Sequence, residues 1–497
     1  MLRFSPNPNL AHLIHWCEWE DDAFQRAREQ DKPVALFVGA FWCGYCQRMD
    51  QEAFSDRENM ALLNAYFVPL RIENARRPDI DARYNLNGWP TLAFFAPNGR
   101  LLAAANYLAA DDFKECLLNL YLEYQRHKDE LRAIDHAGGD VAIGENKNAL
   151  PDRLSLDQIA SAVLARADRV YGGYGNGQKF IHAEANEFLL SRYEAINDRG
   201  CLDHVRLTLD RMRASPIYDE KDGGYFRTTT GADWVQPHRE KLLAEQAGLL
   251  GNCLHLFRIT QLRQYARMAE EIIGYLDRKL FDPSRPAFFG CEDFLRHPTA
   301  DQTTAGEFFS VIDQCIYTDA NAQAIVGYLE AASMLGRPEL KRRATDILEF
   351  LWVHCHNEHQ GMFHYLDEGA KLPGLLIDQA RMGIALLRGF HATENPIYLN
   401  RAKELAAMIR SRLRNPAGGY FDRSKSELGF LGAQLSLIDQ NGVAASFFLM
   451  LADAAKEPGY REAARWALSG IGVDLASYGI HASQFGQSLG EWLYAKI

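Results

Sequence analysis

A short glycine- and aromatic-rich element recurs six times after residue 150, and it constrains the fold of this chain more than any other feature. Each copy follows a helix with small and apolar residues at three- and four-residue steps and precedes a second helix of apolar and small residues. The copies are YGGYG (171–175), GGYF (223–226), AFFG (287–290), GMFHY (361–365), GGYF (418–421) and SYGI (477–480). Six helical hairpins of this kind predict an (α/α)6 toroid over residues 153–497.

The second helix of each hairpin is expected in the inner ring of the toroid. Segments such as LLAEQAGLLGNCLHLF and TDANAQAIVGYLEAASML are apolar or small nearly all round, and a helix packed on both sides cannot keep a polar face. All six elements lead into these helices, so they should gather at one end of the ring. That end, with its helix N-termini, is the predicted pocket.

The N-terminal part of the chain has a different pattern. Helix and strand signals alternate from Asp21 to about Arg132, with a CxxC pair at the end of the apolar run VALFVG and a hairpin preceded by Pro90. This order predicts a thioredoxin-like α/β domain over residues 1–134. Residues 135–152 are rich in Gly, Asn and Asp and predict a linker, so the fold class is multidomain, α/β followed by all-α.

Composition and charge exclude several partners. The net charge of −11, with no Lys/Arg block, disfavours nucleic acid and anionic membrane surfaces. No window of about 18 apolar residues spans a bilayer, and the N-terminus does not read as a secretory signal. Seven of the nine cysteines lie far apart, as expected where thiols stay reduced, so a cytoplasmic location is predicted.

Both parts resemble one family. The segments NPNLAHLIHWCEWEDDAF, DKPVALFVGAFWCGYCQRMDQEAFSD and RRPDIDARYNLNGWPTLAFFAPNGR resemble the thioredoxin-like domain of the YyaL-type and spermatogenesis-associated proteins, and DWVQPHREKLLAEQA resembles that family's toroid. The resemblance implies a DsbH-like thioredoxin domain fused to a toroid like that of sugar epimerases. The family's usual Cys-His-Trp-Cys-His is replaced here by Cys43-Gly44-Tyr45-Cys46-Gln47, which is closer to ordinary thioredoxins.

The thiol pair predicts redox chemistry. Cys43 at a helix N-terminus favours thiolate and is the predicted nucleophile, and Cys46, one turn on, is the resolving thiol. Similarity to thioredoxins makes Pro90 a cis proline and predicts a substrate groove formed by Trp42, Tyr45, Trp89 and Pro90. Thioredoxins carry a buried acid six residues before the nucleophile, where this chain has Phe37. Asp50 or Glu52 is the candidate substitute.

The predicted toroid pocket gathers polar side chains from several hairpins. His and carboxylates meeting in a cleft suit proton transfer at a sugar carbon or glycosidic oxygen, although an Asp at a helix start is also a common N-cap. His238 is the expected proton-transfer group, with Asp439, Asp319 and Glu245 in the same cavity. The pocket residues are His182, Trp234, His238, Lys241, Glu245, Asp319, Asp378 and Asp439.

No metal site or cofactor is predicted. The CxxC pair lacks a second pair of metal ligands, and the His-rich stretch His354, His356, His359 and His364 with Cys355 lacks regular spacing and favours a solvated loop. Three functions remain open. The first is a thiol–disulfide oxidoreductase whose toroid selects a protein disulfide or small-molecule substrate. The second is a carbohydrate-active epimerase, isomerase or hydrolase with a regulatory thioredoxin-like domain, and the third is a binding protein without turnover.

Overall fold

A computed structural model describes residues 2–133, 150–296, 308–424, 434–470 and 474–494. Residues 2–133 belong to one compact unit, and the described residues from 150 onward belong to a second. The predicted linker, residues 135–152, lies outside the described residues except for its last three. The predicted fold class, a thioredoxin-like domain followed by a helical toroid, is confirmed.

The first unit is a four-stranded sheet flanked by helices. Strand β1 pairs in parallel with β2 and antiparallel with β3, and β4 extends the sheet in the order β2-β1-β3-β4. Strand β1 is buried along its whole length, which explains its uninterrupted apolar run. The elements are α1 (Asp21–Gln30), β1 (Val34–Gly39), α2 (Gly44–Gln51), α3 (Arg57–Tyr66), β2 (Val68–Glu73), α4 (Pro78–Tyr84), β3 (Thr91–Phe95), β4 (Leu101–Ala105) and α5 (Ala110–Ala133).

The second unit is built from helical hairpins in which outer and inner helices alternate along the chain. The outer helices are α6 (Arg153–Ala165), α8 (Arg199–Arg213), α10 (Arg263–Tyr275), α12 (Pro338–His354), α14 (Pro396–Arg412) and α16 (Pro458–Ser469). The inner helices are α7 (Ala183–Ile196), α9 (Leu243–Thr260), α11 (Thr318–Met334), α13 (Leu376–Thr393), α15 (Ile438–Ala455) and α17 (Ser483–Tyr494).

The inner helices form a closed ring. Each packs against the next inner helix along the chain, and α17 packs against α7 to complete the circle. Because every inner helix enters from the same kind of loop, the first turns of all six face one end of the ring. As predicted, each glycine-rich element connects an outer helix to the following inner helix.

Short strands occupy the loops between outer and inner helices, where the sequence had indicated only turns. Runs of two to six residues pair across a loop, too short for a period-two pattern to stand out. They are β5 (Lys179–Phe180), β6 (Thr228–Thr229), β7 (Pro237–His238), β8 (Lys241–Leu242), β9 (Phe281–Asp282), β10 (Ala287–Phe288), β11 (Cys291–Arg296), β12 (Phe308–Asp313), β13 (Ile316–Tyr317), β14 (His356–Asn357), β15 (Gly361–Leu366) and β16 (Ala370–Pro373).

A side-chain amide on the inner helix holds each of four glycine-aromatic loops. Residue four of the helix accepts a hydrogen bond from a loop backbone N–H and donates one to the carbonyl of the same residue, at 2.7–3.0 Å. The four amide clamps are Gln246 on Tyr225, Asn321 on Phe288, Gln379 on Met362 and Asn441 on Tyr420. They satisfy buried backbone groups that would otherwise be costly.

The amide clamp explains why a glycine precedes Met362. Gly361 has a φ of +76°, and a Cβ built there would lie 2.5 Å from the Gln379 Oε1 atom. Only a residue without a side chain allows both the left-handed backbone and the close approach of the amide. The recurring element of the sequence thus has a structural role in the four clamped hairpins.

No helix in the described part of the chain combines the length and the apolar character needed to cross a bilayer.

Candidate functional site

The Cys43–Cys46 pair lies where β1 ends and α2 begins. Cys43 is the N-cap residue of α2, and its Sγ accepts a hydrogen bond of 3.1 Å from the backbone N–H of Cys46. Unpaired N–H groups and the helix dipole at this end stabilise negative charge. The geometry therefore suits a thiolate on Cys43.

The two thiols differ in environment. Cys46 is 4% exposed and Cys43 is 7% exposed. Burial raises the pKa of the Cys46 thiol well above its ordinary value, and the adjacent Cys43 sulfur raises it further. Cys46 consequently holds its proton more tightly at neutral pH, as expected of the thiol that reacts second.

Aromatic side chains surround the dithiol. Trp42 and Trp89 pack edge to face with ring centroids 5.2 Å apart, and Tyr45 is 59% exposed beside Tyr107. The Trp89–Pro90 peptide bond is cis, as predicted. Of the predicted groove residues, Tyr45 thus lies on α2, Trp42 directly precedes Cys43, and Trp89 and Pro90 lie in the loop leading into β3.

An ion pair occupies the place of the acid that thioredoxins bury beneath the dithiol. Arg71 on β2 stands beside Phe37 on β1 and binds both carboxylate oxygens of Asp50 at 2.8 Å. The Ser5 backbone N–H donates to the same carboxylate at 2.7 Å. Asp50 is therefore fully engaged, and Glu52 accepts bonds from Arg48 and Tyr107 instead. Neither carboxylate stands free as the substitute acid expected from the sequence.

Two of the predicted toroid residues are buried inside the loops. Trp234 is 1% exposed and donates through Nε1 to the Tyr171 carbonyl, 2.8 Å away. Lys241 is fully buried, and its Nζ bonds Asp219 at 2.7 Å and the Gly223 carbonyl at 2.8 Å. The structure thus gives both a packing role in the glycine-aromatic loops, which leaves them no surface to present to a ligand.

The two predicted histidines lie in different surroundings. His238 is exposed on β7, where it pairs in register with Thr228. His182 is half-buried just before α7, beside the Tyr174 ring. Burial lowers the pKa of His182 to about 4, so its imidazole is neutral at physiological pH.

The predicted carboxylates converge at the mouth of the ring. Glu184 interacts electrostatically with Glu245 on α9 and Asp439 on α15, and Arg381 on α13 interacts with Asp439 and Asp378. Arg381 also lies 3.8 Å from Glu184. Asp439 remains accessible to solvent, yet the surrounding protein raises the pKa of its carboxyl, as expected on a concave surface. The structure brings this acidic set together around one arginine.

A cavity of about 600 Å³ runs inside the inner ring. All six inner helices contribute to its wall, and Gly248, Gly251 and Gly327 keep it open. Its charged and polar lining consists of Glu184, Glu187, Asn252, His255, Arg258, Gln323, Glu330, Arg381, Arg388, Gln484, Gln487 and Glu491. Within the described residues, none of the eight pocket residues predicted from the sequence lines this cavity.

His255 lies between two carboxylates at the wall of the cavity. Its Nδ1 lies 2.7 Å from Glu187 and its Nε2 lies 3.1 Å from Glu194. Burial lowers its pKa, but the two carboxylates outweigh that effect and raise the pKa to about 9. His255 is therefore an imidazolium at neutral pH and serves as a cation rather than a base.

The carboxyls of the cavity have pKa values shifted in different directions. Burial raises the pKa of Glu330, whose nearest cation, Arg388, lies 3.6 Å away. Burial also raises the pKa of Glu491, which accepts a 2.6 Å bond from Ser446. Glu187, bonded to His255, has a lowered pKa. Carboxyls whose environments separate their pKa values can share acid and base roles.

This cavity is not among the features predicted from the sequence, because the inner helices are apolar or small nearly all round. Polar residues recur on them at steps of three, four or seven, such as Asn252-His255, Arg381-Arg388 and Gln484-Gln487-Glu491. Such spacing marks one polar stripe on an otherwise apolar helix. That stripe was the available signal, and it points into the ring.

Fold and sites together define a thioredoxin-like domain with a CxxC pair, joined to a six-hairpin toroid with a polar cavity. Residues 7–137 match the family model of the DsbH-type thioredoxin domain, described as "Protein of unknown function, DUF255". The N-terminal domain belongs to this family.

Relatives in other organisms extend the similarity into the toroid. Human spermatogenesis-associated protein 20 is 27% identical over 328 residues, which cover 61% of this chain and 41% of that protein. The resemblance expected from the sequence is thereby confirmed, while the match spans only about two fifths of the relative. A thiol:disulfide interchange protein, DsbD 1 of Pseudomonas aeruginosa, is 39% identical over 83 residues, 16% of this chain and 14% of that protein.

The toroid has a counterpart among solved structures. Cellobiose 2-epimerase from Bacillus thermoamylovorans superposes with a TM-score of 0.53 at 11% identity, covering 63% of this chain and 84% of that one. At that identity the likeness concerns the fold alone.

Proposed function

We propose that the N-terminal domain catalyses thiol–disulfide exchange with Cys43 as the nucleophile. The observation that carries the proposal is the Cys43 sulfur at the start of α2, accepting the Cys46 backbone N–H at 3.1 Å. A thiolate at a helix N-terminus is stabilised by those N–H groups and attacks disulfides at neutral pH. The similarity to a thiol:disulfide interchange protein supports the same chemistry.

The reaction conserves atoms and electrons within the dithiol and the substrate. The Cys43 thiolate attacks one sulfur of a substrate disulfide, forming a mixed disulfide and releasing the other sulfur as a thiolate, which takes up a proton. Cys46 then loses its proton and attacks the Cys43 sulfur, which breaks the mixed disulfide and releases the second substrate sulfur as a thiolate that takes up a proton. The products are a Cys43–Cys46 disulfide and a substrate dithiol, and an external dithiol reductant restores the starting state.

The surroundings favour an extended peptide disulfide as substrate. Trp42, Trp89 and the exposed Tyr45 offer aromatic surface beside the thiols, and such side chains bind apolar and peptide groups well.

Cysteine variants of the full chain test the proposal. Pre-reduced protein is mixed with a disulfide-bonded peptide, and the released thiol and any mixed disulfide are measured by mass spectrometry. We expect Cys43→Ser to abolish reduction and Cys46→Ser to accumulate the mixed disulfide on Cys43. Cys116→Ser, a half-buried cysteine of the same unit, is the matched control and should react like the parent. Retention of activity in Cys43→Ser would exclude the assignment.

We further propose that the ring cavity binds a small polyhydroxyl compound of the sugar class. The supporting observation is the cavity itself, whose carboxyls, arginines and amides can bond many hydroxyl groups at once. The fold likeness to a cellobiose 2-epimerase is consistent with this class of ligand.

Filling the cavity tests this second proposal. Gly251 lines the cavity and has open space around its Cβ position, so Gly251→Leu should occlude it without a clash. Gly459→Leu, on outer helix α16 with equally open space, is the control. A panel of mono- and disaccharides is screened by saturation-transfer NMR. Gly251→Leu should abolish binding that Gly459→Leu retains; equal binding by both variants, or no binding by the parent, contradicts the proposal.

A further inference from the structure

Three potential metal ligands meet at the mouth of the toroid. Asp319 lies in the first turn of α11, Asp378 in the first turn of α13 and His364 on β15. One ligand atom from each of these residues lies within 4.8 Å of the others. The grouping depends on the fold, since the three residues come from separate elements.

Their burial makes this cluster different from a set of surface acids. Asp378 is fully buried, His364 is 3% exposed and Asp319 is half-buried. His364 Nδ1 lies 3.0 Å from each carboxylate oxygen of Asp378. An imidazole nitrogen and two carboxylates at such separations match the donor spacing around a small cation.

The hydrogen bonding of the two carboxylates is incomplete. Within the described part of the chain, the His364 ring is the one hydrogen-bond partner of Asp378, and Asp319 has none. A carboxylate can accept about four hydrogen bonds, and a buried charge without partners is costly. Apart from the His364 ring, the described cation acting on Asp378 is Arg381, which is also engaged with Glu184 and Gln323.

Two adjacent carboxylates in this setting need a further positive charge. A protonated His364 offsets one of the two charges, and the other requires a shared proton or a bound cation that takes the place of the imidazole proton. The imidazole decides which cation fits, because a hard cation such as Mg²⁺ or Ca²⁺ prefers oxygen ligands alone, whereas Mn²⁺, Fe²⁺, Co²⁺ and Zn²⁺ accept one nitrogen with two carboxylates.

We propose that Asp319, His364 and Asp378 bind a divalent first-row transition metal. Three protein ligands leave coordination positions open, and the half-buried Asp319 marks the side from which water or a ligand oxygen can reach them. The site goes beyond the proposed functions, and it stands or falls independently of disulfide exchange.

Metal binding is measured on the full chain in a Cys43→Ser/Cys46→Ser background, so that the dithiol contributes no sites. Protein stripped with a chelator is titrated with Co²⁺ and Mn²⁺, followed by the Co²⁺ absorption spectrum and by metal analysis after gel filtration. We expect about one equivalent per chain and an increase in melting temperature on loading.

Ligand variants and a matched control decide the outcome. Asp378→Asn and His364→Gln should weaken binding at least about tenfold, whereas Asp439→Asn, an accessible mouth acid outside the cluster, should bind like the background. If the buried variants fail to fold, Asp319→Asn gives the decisive comparison because that side chain is half-buried. Absence of stoichiometric metal, or equal affinity in the Asp319 and Asp439 variants, overturns the proposal and leaves the shared proton.

Discussion

Replacing Arg71 by Met should destabilise the N-terminal unit strongly, because it leaves a buried charge without its partner. Arg71 is 7% exposed and Asp50 is 1% exposed, and two hydrogen bonds of 2.8 Å join them. The guanidinium also lies 4.5 Å from the Phe37 ring centroid and 4.6 Å from that of Phe4. In the variant, the described partner left to the Asp50 carboxylate is the Ser5 backbone N–H.

The expected magnitude follows from this geometry. Breaking a buried ion pair by removing one partner costs about 3–5 kcal/mol, whereas removing both charges is often nearly neutral. Met keeps most of the apolar stem volume, so the loss is chiefly electrostatic. Asp50→Asn added to Arg71→Met should therefore recover most of the lost stability.

Hydrogen exchange measured by mass spectrometry reports this unit separately from the toroid. A loss of about 3–5 kcal/mol should accelerate exchange in β1 and β2 by roughly two to three and a half orders of magnitude. Arg48→Met, which breaks the exposed Arg48–Glu52 pair on the same unit, should leave exchange unchanged. An acceleration below about tenfold in Arg71→Met, or no recovery in the double variant, would refute the reasoning.

Two further predictions concern the toroid. Gly361→Ala should lower the melting temperature of the toroid, since the new Cβ meets the Gln379 amide at 2.5 Å on a left-handed backbone. The control Gly369→Ala, with open space around its Cβ position, should leave the melting temperature unchanged. Equal melting temperatures in the two variants would contradict the amide clamp. His255→Gln should destabilise most at pH 6. The folded-state pKa of about 9 exceeds the unfolded value near 6.5, so this contribution is complete below pH 6.5 and disappears as pH rises through 9. Melting curves of the parent and of His255→Gln at pH 6 and above pH 9 test this. A difference in melting temperature that does not depend on pH would contradict a charged His255.

The amide clamps show why the sequence predicted so much of the toroid. Three of the four clamps combine a glycine of positive φ with an amide at the fourth residue of the next helix, and both features are local. Gly361 and Gln379 satisfy them within a single hairpin. Because four of the six described hairpins use the same clamp within one hairpin, it recurs along the chain as a visible pattern.

The dithiol was predictable for the same reason. Cys43 and Cys46 are brought together by one helical turn, and their chemistry depends on the start of the helix that contains them. The acid beneath them was not predictable. Asp50 could have been a free proton acceptor, but strand β2 places Arg71 against it, and that pairing is a contact between distant segments.

The sequence by itself determined the hairpins, their order and the redox pair, because each arises from interactions within a few residues or one helical turn. Only the tertiary structure decided the ring cavity and the cluster at its mouth. Glu187, His255 and Glu330 come from three helices that meet after ring closure, and Asp319, His364 and Asp378 are joined likewise. Their charges depend on burial and on neighbours remote in sequence, and no local pattern encodes those distances.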